Sequence, residues 1–508
     1  MDYKFSFIVP CYRGKFEEVK RNFDSILDQD YKNWEIIFVP NGSWTGKKSL
    51  IQKVKREYKM VKILDLEEPN VCAARNRGAE IATADIFSFL SSDLALHPGT
   101  LRTWQLEFSK HPECAFVYSG YRFFPNVETD VFLSEEFDEY KLGCYNYIDG
   151  ANPIRREANV EFDPEIRSLN DWDWILSVVE KGAKGHYIPE PLFSAELPKP
   201  GGLSFDSSHN WLTRTEAIKQ KHNIPIREVC CTSLIDDKET LRIAKAINAD
   251  YHSFPAQKAN RYKVVYCYGF ACTNEMLQMQ AASLSGEIRT AHKIIHWVGI
   301  DVTLLAGRPW GEVEALTKGI FSRIKDHWVI GTADEHILNE MFRGSGIKLK
   351  KVFPPIDQPR KGNLEDVIYV NDAELMDQIK KAMPDIDLTN KNHQGIPKIS
   401  IHWQDRPSNI IKAAAEGSFV ISEKMMPHIG RLECRNIPEM RQQIVHTIRQ
   451  LNREGVQKDK LAMKHYRQTD YFKQKIDKIL RLPIRRLGRL EDVLDTYSEE
   501  KLKSNATA

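Results

Sequence analysis

With 508 residues the chain is long enough for two or three domains, each with its own core. Its 42% hydrophobic and 28% charged residues are ordinary for a soluble globular protein. A net charge of +2, from 72 basic and 70 acidic side chains, excludes electrostatic binding of nucleic acid by the chain as a whole, though not a local basic patch.

The first block alternates strand and helix, the pattern of a parallel α/β sheet. Residues 5–10 (FSFIVP) form a continuous apolar run, expected of a strand buried on both faces. Phe16, Val19, Phe23, Ile26 and Leu27 follow at helical spacing. Residues 34–39 (WEIIFV) read as a second buried strand, ended by the turn Pro40-Asn41-Gly42-Ser43. A short third strand is expected at 61–64 and a fourth at 86–90, with Ser91-Ser92-Asp93 at its carboxyl end. Open α/β sheets bind their ligands outside the carboxyl ends of strands.

Pro198, Pro200, Gly201 and Gly202 break the pattern, which sets a domain boundary near residue 225. A second α/β series follows, with strands expected at 264–268, 294–297, 328–330, 367–370, 399–403 and 419–422. The organisation read from the sequence is therefore 1–225, then 226–460, then a charged helical tail over 461–508 that frays at its end. The basic cluster at 481–489 reads as a solvated helix face, because it is short, holds a proline and is followed by acids. Nine scattered cysteines, an odd number with no CxxC pair, point to reduced and inert thiols. No secretory signal precedes the first strand and no apolar run suits a bilayer. The expectation is a cytoplasmic protein, soluble or at most peripheral to a membrane.

Four stretches of the first block, FSFIVPCYRG, IIFVPNGSWTG, NVCAARNRG and FDPEIRSLNDWDWIL, together resemble the inverting family-2 glycosyltransferases of the GT-A fold. The resemblance covers about residues 3–220. It implies a Rossmann-like nucleotide-diphospho-sugar domain, a nucleotide-sugar donor, Mn2+ or Mg2+, and an acidic general base. Pro10 and Tyr12 then belong to the loop that touches the nucleotide. Asn41 follows the position where the family carries an acid that recognises the base, which here is Pro40. Arg75 suits a donor diphosphate because its planar fork matches phosphate oxygens; the alternative is a carboxylate partner on the helix surface. Ser92 and Asp93 stand where the family usually has Asp-x-Asp, and Ser91 has lost the first acid. One carboxylate suffices for a hard cation when waters and the diphosphate complete its shell; the alternative is a helix-capping Asp.

Asp171 occupies the place of the family's base, which takes the acceptor proton, with Asn170 replacing its acidic neighbour. Alternatively Asp171 and Asp173 are acids complementing a helix dipole. Arg155 and Arg156 match the family's Arg-Arg-Glu and are placed on the acceptor side. Trp172 and Trp174 flank Asp173, and at a spacing of two they cannot share one helix face, so one is expected in the core.

Residues 260–450 resemble the GT-B type of glycosyltransferase through HWVGID (296–301) and PSNIIKAAAEGSFVIS (407–422), with Ser408 a suitable N-cap. Where that type carries two glutamates about eight residues apart, this chain has Gln404 and Lys412. The second half is then a degenerate transferase kept for acceptor binding or assembly, a second active transferase with Arg406, Lys412 or His402 on phosphate, or an α/β domain without a ligand. The function expected overall is transfer of a sugar from a nucleotide sugar to a hydroxyl acceptor, whether a glycan, a lipid-linked sugar or another hydroxyl, with inversion. The alternative from another class is a non-catalytic sugar- or nucleotide-binding scaffold, motivated by the departures at Pro40, Ser91, Asn170, Gln404 and Lys412.

Overall fold

The computed structural model describes residues 2–124, 131–132, 134–196, 211–233, 235–252, 262–270, 292–330, 332–352 and shorter stretches between 354 and 433. Pro198, Pro200, Gly201, Gly202, Gln404, Arg406, Ser408, the cluster at 481–489 and the tail over 461–508 lie outside the described residues. The chain divides into two compact units, Met1–Ile226 and Arg227–Ala508.

The apolar run that opens the first unit forms β1 (Phe5–Cys11), in which every residue is buried. It pairs in parallel with β2 (Trp34–Pro40) on one side and β4 (Ile86–Ser88) on the other. With β3 (Lys62–Ile63), β6 (Phe116–Ser119), β9 (Ile154–Arg155) and β10 (Gly185–Ile188) they form a seven-stranded sheet in the order β10-β6-β9-β4-β1-β2-β3. Only β9 runs antiparallel to its neighbours. Helix α1 (Phe16–Leu27) buries Val19, Phe23 and Ile26, and the Phe23 ring meets Phe38 and Tyr58 edge-on at 5.5 and 5.1 Å. A smaller sheet, β5 (Ala95–Leu96), β7 (Tyr121–Phe124), β8 (Val131–Phe132) and β11 (Phe193–Glu196), has the order β5-β11-β7-β8. Because β1, β2 and β4 are parallel, the loops after Cys11, Pro40 and Ser88 leave the same edge of the large sheet. That edge carries the site.

The second unit holds two sheets, each parallel throughout. Six strands, Val229–Thr232, Asp250–Tyr251, Val264–Tyr268, His292–Trp297, Asp326–Val329 and Leu349–Lys351, form the first. Leu364–Val370, Leu388–Thr389, Ile396–His402, Phe419–Ser422 and Leu432–Glu433 form the second. All six strands expected from the sequence are present. The ones that escape it are two to four residues long, too short for periodicity to register. No described helix is long and apolar enough to cross a membrane.

Candidate active site

Two asparagines hold the loops of the carboxyl edge in place. Asn41 donates its backbone N–H to the Cys11 carbonyl at 2.9 Å and its side-chain amide to the same oxygen at 3.3 Å, tying the exits of β1 and β2 together. Asn22, fully buried on α1, donates to the carbonyls of Ser91 at 3.1 Å and Leu94 at 2.8 Å. The loop carrying Ser92 and Asp93 is thereby fixed from beneath, and the Ser92 hydroxyl also hydrogen-bonds the buried Cys11 thiol. Tyr12 is 47% exposed at the mouth, its ring lying so close over Gly42 that a methyl group there would meet it at 2.7 Å.

Asp93 is exposed, yet stands on a floor crowded by protein. Loss of surrounding solvent raises its carboxyl above the ordinary value, and the negative charges of Glu18 and Glu196 push the same way. A lone accessible carboxylate in a field of like charge fits a hard divalent cation whose remaining ligands come from water and diphosphate. Among the described residues the one His/Cys/Asp/Glu group with converging ligand atoms is Glu107, His111 and His186. It lies by the amino-terminal end of β10, where its two imidazoles stack at 3.8 Å with 20° between planes.

The second acid comes from helix α6 (Asn170–Glu180), whose preceding residue Leu169 takes a left-handed φ of +57°. Non-glycine residues are held in that region only when the surroundings over-determine them, which happens most at functional sites. The Asp171 side chain, 27% exposed, accepts from Arg75 Nη1 at 2.5 Å, and the same nitrogen donates to Asn170 Oδ1 at 2.7 Å. Arg75 comes from helix α3 (Val71–Ile81), capped by the Asn70 side-chain Oδ1, which accepts from the N–H groups of Cys72 and Ala73. Its guanidinium also lies 4.7 Å over the Phe162 ring.

Three further site residues, Asp149, Gly150 and Tyr121, carry no signal in the sequence. Asp149 and Gly150 lie in the turn before β9, and Tyr121 opens β7. The Asp149 carboxyl is pushed well above the usual range, first by loss of solvent and then by the charge of Asp171. The Tyr121 phenol is raised by burial and by Asp149, Asp171 and Asp93, so all three acids act on one ring. Glycine and aspartate before a strand read as turn chemistry, which masks them. An acid whose folded pKa lies above its unfolded value destabilises the fold once pH exceeds the unfolded value. Asp149→Asn should therefore raise the melting temperature at pH 8 and leave it unchanged near pH 3, in thermal unfolding followed at both. A destabilised variant at pH 8 would contradict that environment.

Several expected placements change. Pro10 is buried inside β1, and Asn41 is 2% exposed with its side-chain amide turned onto the Cys11 and Val39 carbonyls. Arg75, 4% exposed, is committed to Asp171 and is not open to a diphosphate. Arg155 and Arg156, expected on the acceptor side, lie at the other end of the sheet from Asp93. In the antiparallel strand β9, Arg155 stands opposite Ile86, the first residue of β4, at the end of the sheet away from Asp93. Arg155 donates to the carbonyls of Cys114 at 2.9 Å and Phe108 at 3.1 Å, and Arg156 donates to that of Ala82. Trp172 and Trp174 are both core: the first donates to the Leu142 carbonyl at 2.7 Å, the second stacks on Phe162 at 4.9 Å. Lys412 is helical and half-buried in the second unit.

Asp173, next to the site, is structural. Its carboxylate, 2% exposed, accepts from His222 Nε2 at 2.9 Å and from Lys221 at 2.8 Å. Burial alone would lower the His222 pKa, but hydrogen bonds to Asp173 and Glu180 outweigh it and the net shift is upward. That stabilisation is complete below about pH 6.5 and lost as pH rises through the folded value. Asp173→Asn, which leaves the buried partners uncompensated, should cost about 3–5 kcal/mol at pH 6 and less at pH 9, by denaturant unfolding. A penalty independent of pH would exclude the charged pair.

The arrangement defines an α/β protein with acids from separate segments, Asp93, Asp149 and Asp171, brought to the carboxyl edge of a largely parallel sheet. Residues 6–162 match the model of glycosyl transferase family 2. TuaG of Bacillus subtilis (strain 168), a glycosyltransferase assigned to teichuronic acid biosynthesis, is 30% identical over 199 residues, 38% of this chain and 78% of TuaG. The amylovoran biosynthesis glycosyltransferase AmsB of Erwinia amylovora is 28% identical over 212 residues, covering 38% of this chain and 69% of AmsB. The chain belongs to glycosyl transferase family 2 and is a glycosyltransferase. Among solved structures, residues 1–349 of S. aureus TarS align at 16% identity with a TM-score of 0.35, over 44% of this chain and 67% of that one. The mannosyltransferase PcManGT of Pyrobaculum calidifontis, in complex with GDP-Man and Mn2+, aligns at 17% identity with a TM-score of 0.34, over 62% and 81%.

Proposed function

We propose that the first unit transfers a sugar from a nucleotide-sugar donor to a hydroxyl acceptor with inversion, using Asp171 as general base and Asp93 to hold Mn2+ or Mg2+. The observation that carries this reading is that Asp171, 78 residues from Asp93 in sequence and anchored by Arg75, packs against the Gly150 turn, which Ala151 ties by a hydrogen bond to Ser88 at the end of β4, the strand that leads to Asp93. The two carboxylates differ in setting: Asp93 is accessible and faces other acids, while Asp171 is anchored by Arg75. Asp93 would hold the cation, which when bound would supply positive charge to the leaving diphosphate. Asp171 accepts the acceptor's hydroxyl proton as the new bond to the anomeric carbon forms and the bond to phosphate breaks, with its electron pair leaving on the diphosphate. Tyr12 and Ser92 line the donor side.

For the second unit we propose a GT-B-like region that has lost donor chemistry. Two separate all-parallel sheets support the architecture, and Lys412 at a position where that type carries a glutamate supports the loss. The seven described cysteines, all buried thiols, favour a cytoplasmic setting. A panel of nucleotide sugars with manganese, scored for donor hydrolysis and for transfer to hydroxyl acceptors, tests the function. Hydrolysis of a specific donor, abolished by a chelator, is the expected result; no turnover of any donor would leave the scaffold reading in its place.

A further inference from the structure

Gly150 is buried, and its φ lies outside the left-handed region, so the backbone does not call for glycine there. What forbids a side chain is the proposed base. A Cβ at this position would stand 2.7 Å from Asp171 Oδ1 and 3.0 Å from its Cγ. The same oxygen accepts from Arg75 Nη1 at 2.5 Å. Asp171 Oδ1 is thus held between a guanidinium and a bare α-carbon, which leaves Oδ2 as the oxygen to take a proton.

The turn that carries Gly150 is itself tied down. Asp149 Oδ1 accepts from the Ala151 N–H at 2.8 Å, and the Ala151 carbonyl accepts from the Ser88 hydroxyl at 2.7 Å. Ser88 ends β4, the strand that leads to Asp93. The Asp171 carboxylate therefore rests against a turn hydrogen-bonded to the strand that leads to the proposed metal ligand. The acid facing it across that turn, Asp149, adds negative charge beside Asp171, with Arg75 opposing it and Asp93 and Tyr121 completing the charged and titratable surroundings.

We infer that Gly150 is a positioning residue for the transfer reaction: its missing side chain sets where the Asp171 carboxylate sits relative to Asp93. This rests on the reading of Asp171 as the base. A methyl group would have to displace that carboxylate by several tenths of an ångström or more, and misplacement of about 1 Å in a reacting group can cost about 100-fold in rate. The contact is a specific one, so its effect should vanish once the base is gone.

The test is a cycle of Gly150→Ala, Asp171→Asn and the double variant in the full-length chain. Turnover is measured with the donor selected by the panel, and affinity with UDP and GDP in the presence of Mn2+. Expected are a tenfold or greater fall in kcat for Gly150→Ala, nucleotide Kd within twofold of wild type, and a double variant no slower than Asp171→Asn alone. Gly150→Ala within threefold of wild type, or a double variant tenfold slower than Asp171→Asn, overturns the inference while leaving Asp171 as base. Wild-type turnover in Asp171→Asn removes the base itself, a distinct result that takes the inference with it. Should Gly150→Ala fail to fold, adding Asp171→Ala deletes the atoms at 2.7 and 3.0 Å and should restore folding; a double variant that stays unfolded overturns the inference equally.

Discussion

Asp171→Asn should lower sugar transfer by two orders of magnitude or more while leaving nucleotide binding nearly unchanged. The amide is isosteric and retains one oxygen, so Arg75 Nη1 keeps an acceptor besides Asn170. What the variant loses is the capacity to take a proton from an acceptor alcohol. A placed carboxylate contributes about 10²–10⁴-fold to such a step. The fall should appear in kcat and in kcat/KM alike, the pattern for an interaction used only in the transition state. Single-turnover transfer set beside nucleotide titration separates the two effects. Turnover within a few-fold of wild type would make Asp171 an acid that complements the dipole of α6, with the base elsewhere.

Asp93→Ala should inactivate transfer and remove the metal dependence of nucleotide binding. No second carboxylate stands at Ser91 to share the cation, so no partial site should survive. A chelator-insensitive wild-type enzyme would count directly against the assignment. Ser91→Asp, which restores the missing acid, should tighten Mn2+ binding. The same assay ranks the two units: Lys412→Ala should be near-silent where Asp93→Ala is inactive. If instead Lys412→Ala abolishes transfer of a different sugar that Asp93→Ala leaves untouched, the chain carries two transferase sites.

Both carboxylates are legible in the amino-acid sequence, as are the strands that lead to the carboxyl edge of the sheet. The apolar runs at 5–10 and 34–39 form β1 and β2 because a strand covered on both faces needs an unbroken hydrophobic segment, and that demand is written locally. Asp93 is legible for the same reason: an acid following a buried strand of a parallel sheet lands on the ligand-binding edge wherever the neighbours lie. Helix α1 is readable from its spacing, since burial of Val19, Phe23 and Ile26 follows from 3.6 residues per turn.

The remainder needs the tertiary structure, because it depends on which distant segments meet. Arg155 and Arg156 have the chemistry of an acceptor site, but the antiparallel insertion of β9 carries them to the opposite end of the sheet, where backbone carbonyls take their donors. Asp171 and Asp173 are two residues apart on one helix and equally acidic in sequence. Roughly half a turn of helix separates a part-exposed carboxylate paired with Arg75 from one sealed against His222 and Lys221. Arg75 reads as a phosphate ligand until Asp171, 96 residues later, arrives beside it. Gly150 carries no chemical signal at all, and its meaning lies in the 2.7 Å left for an atom it does not have. Sequence periodicity settles which faces are buried; only strand order and close packing decide which buried or half-buried group stands next to which.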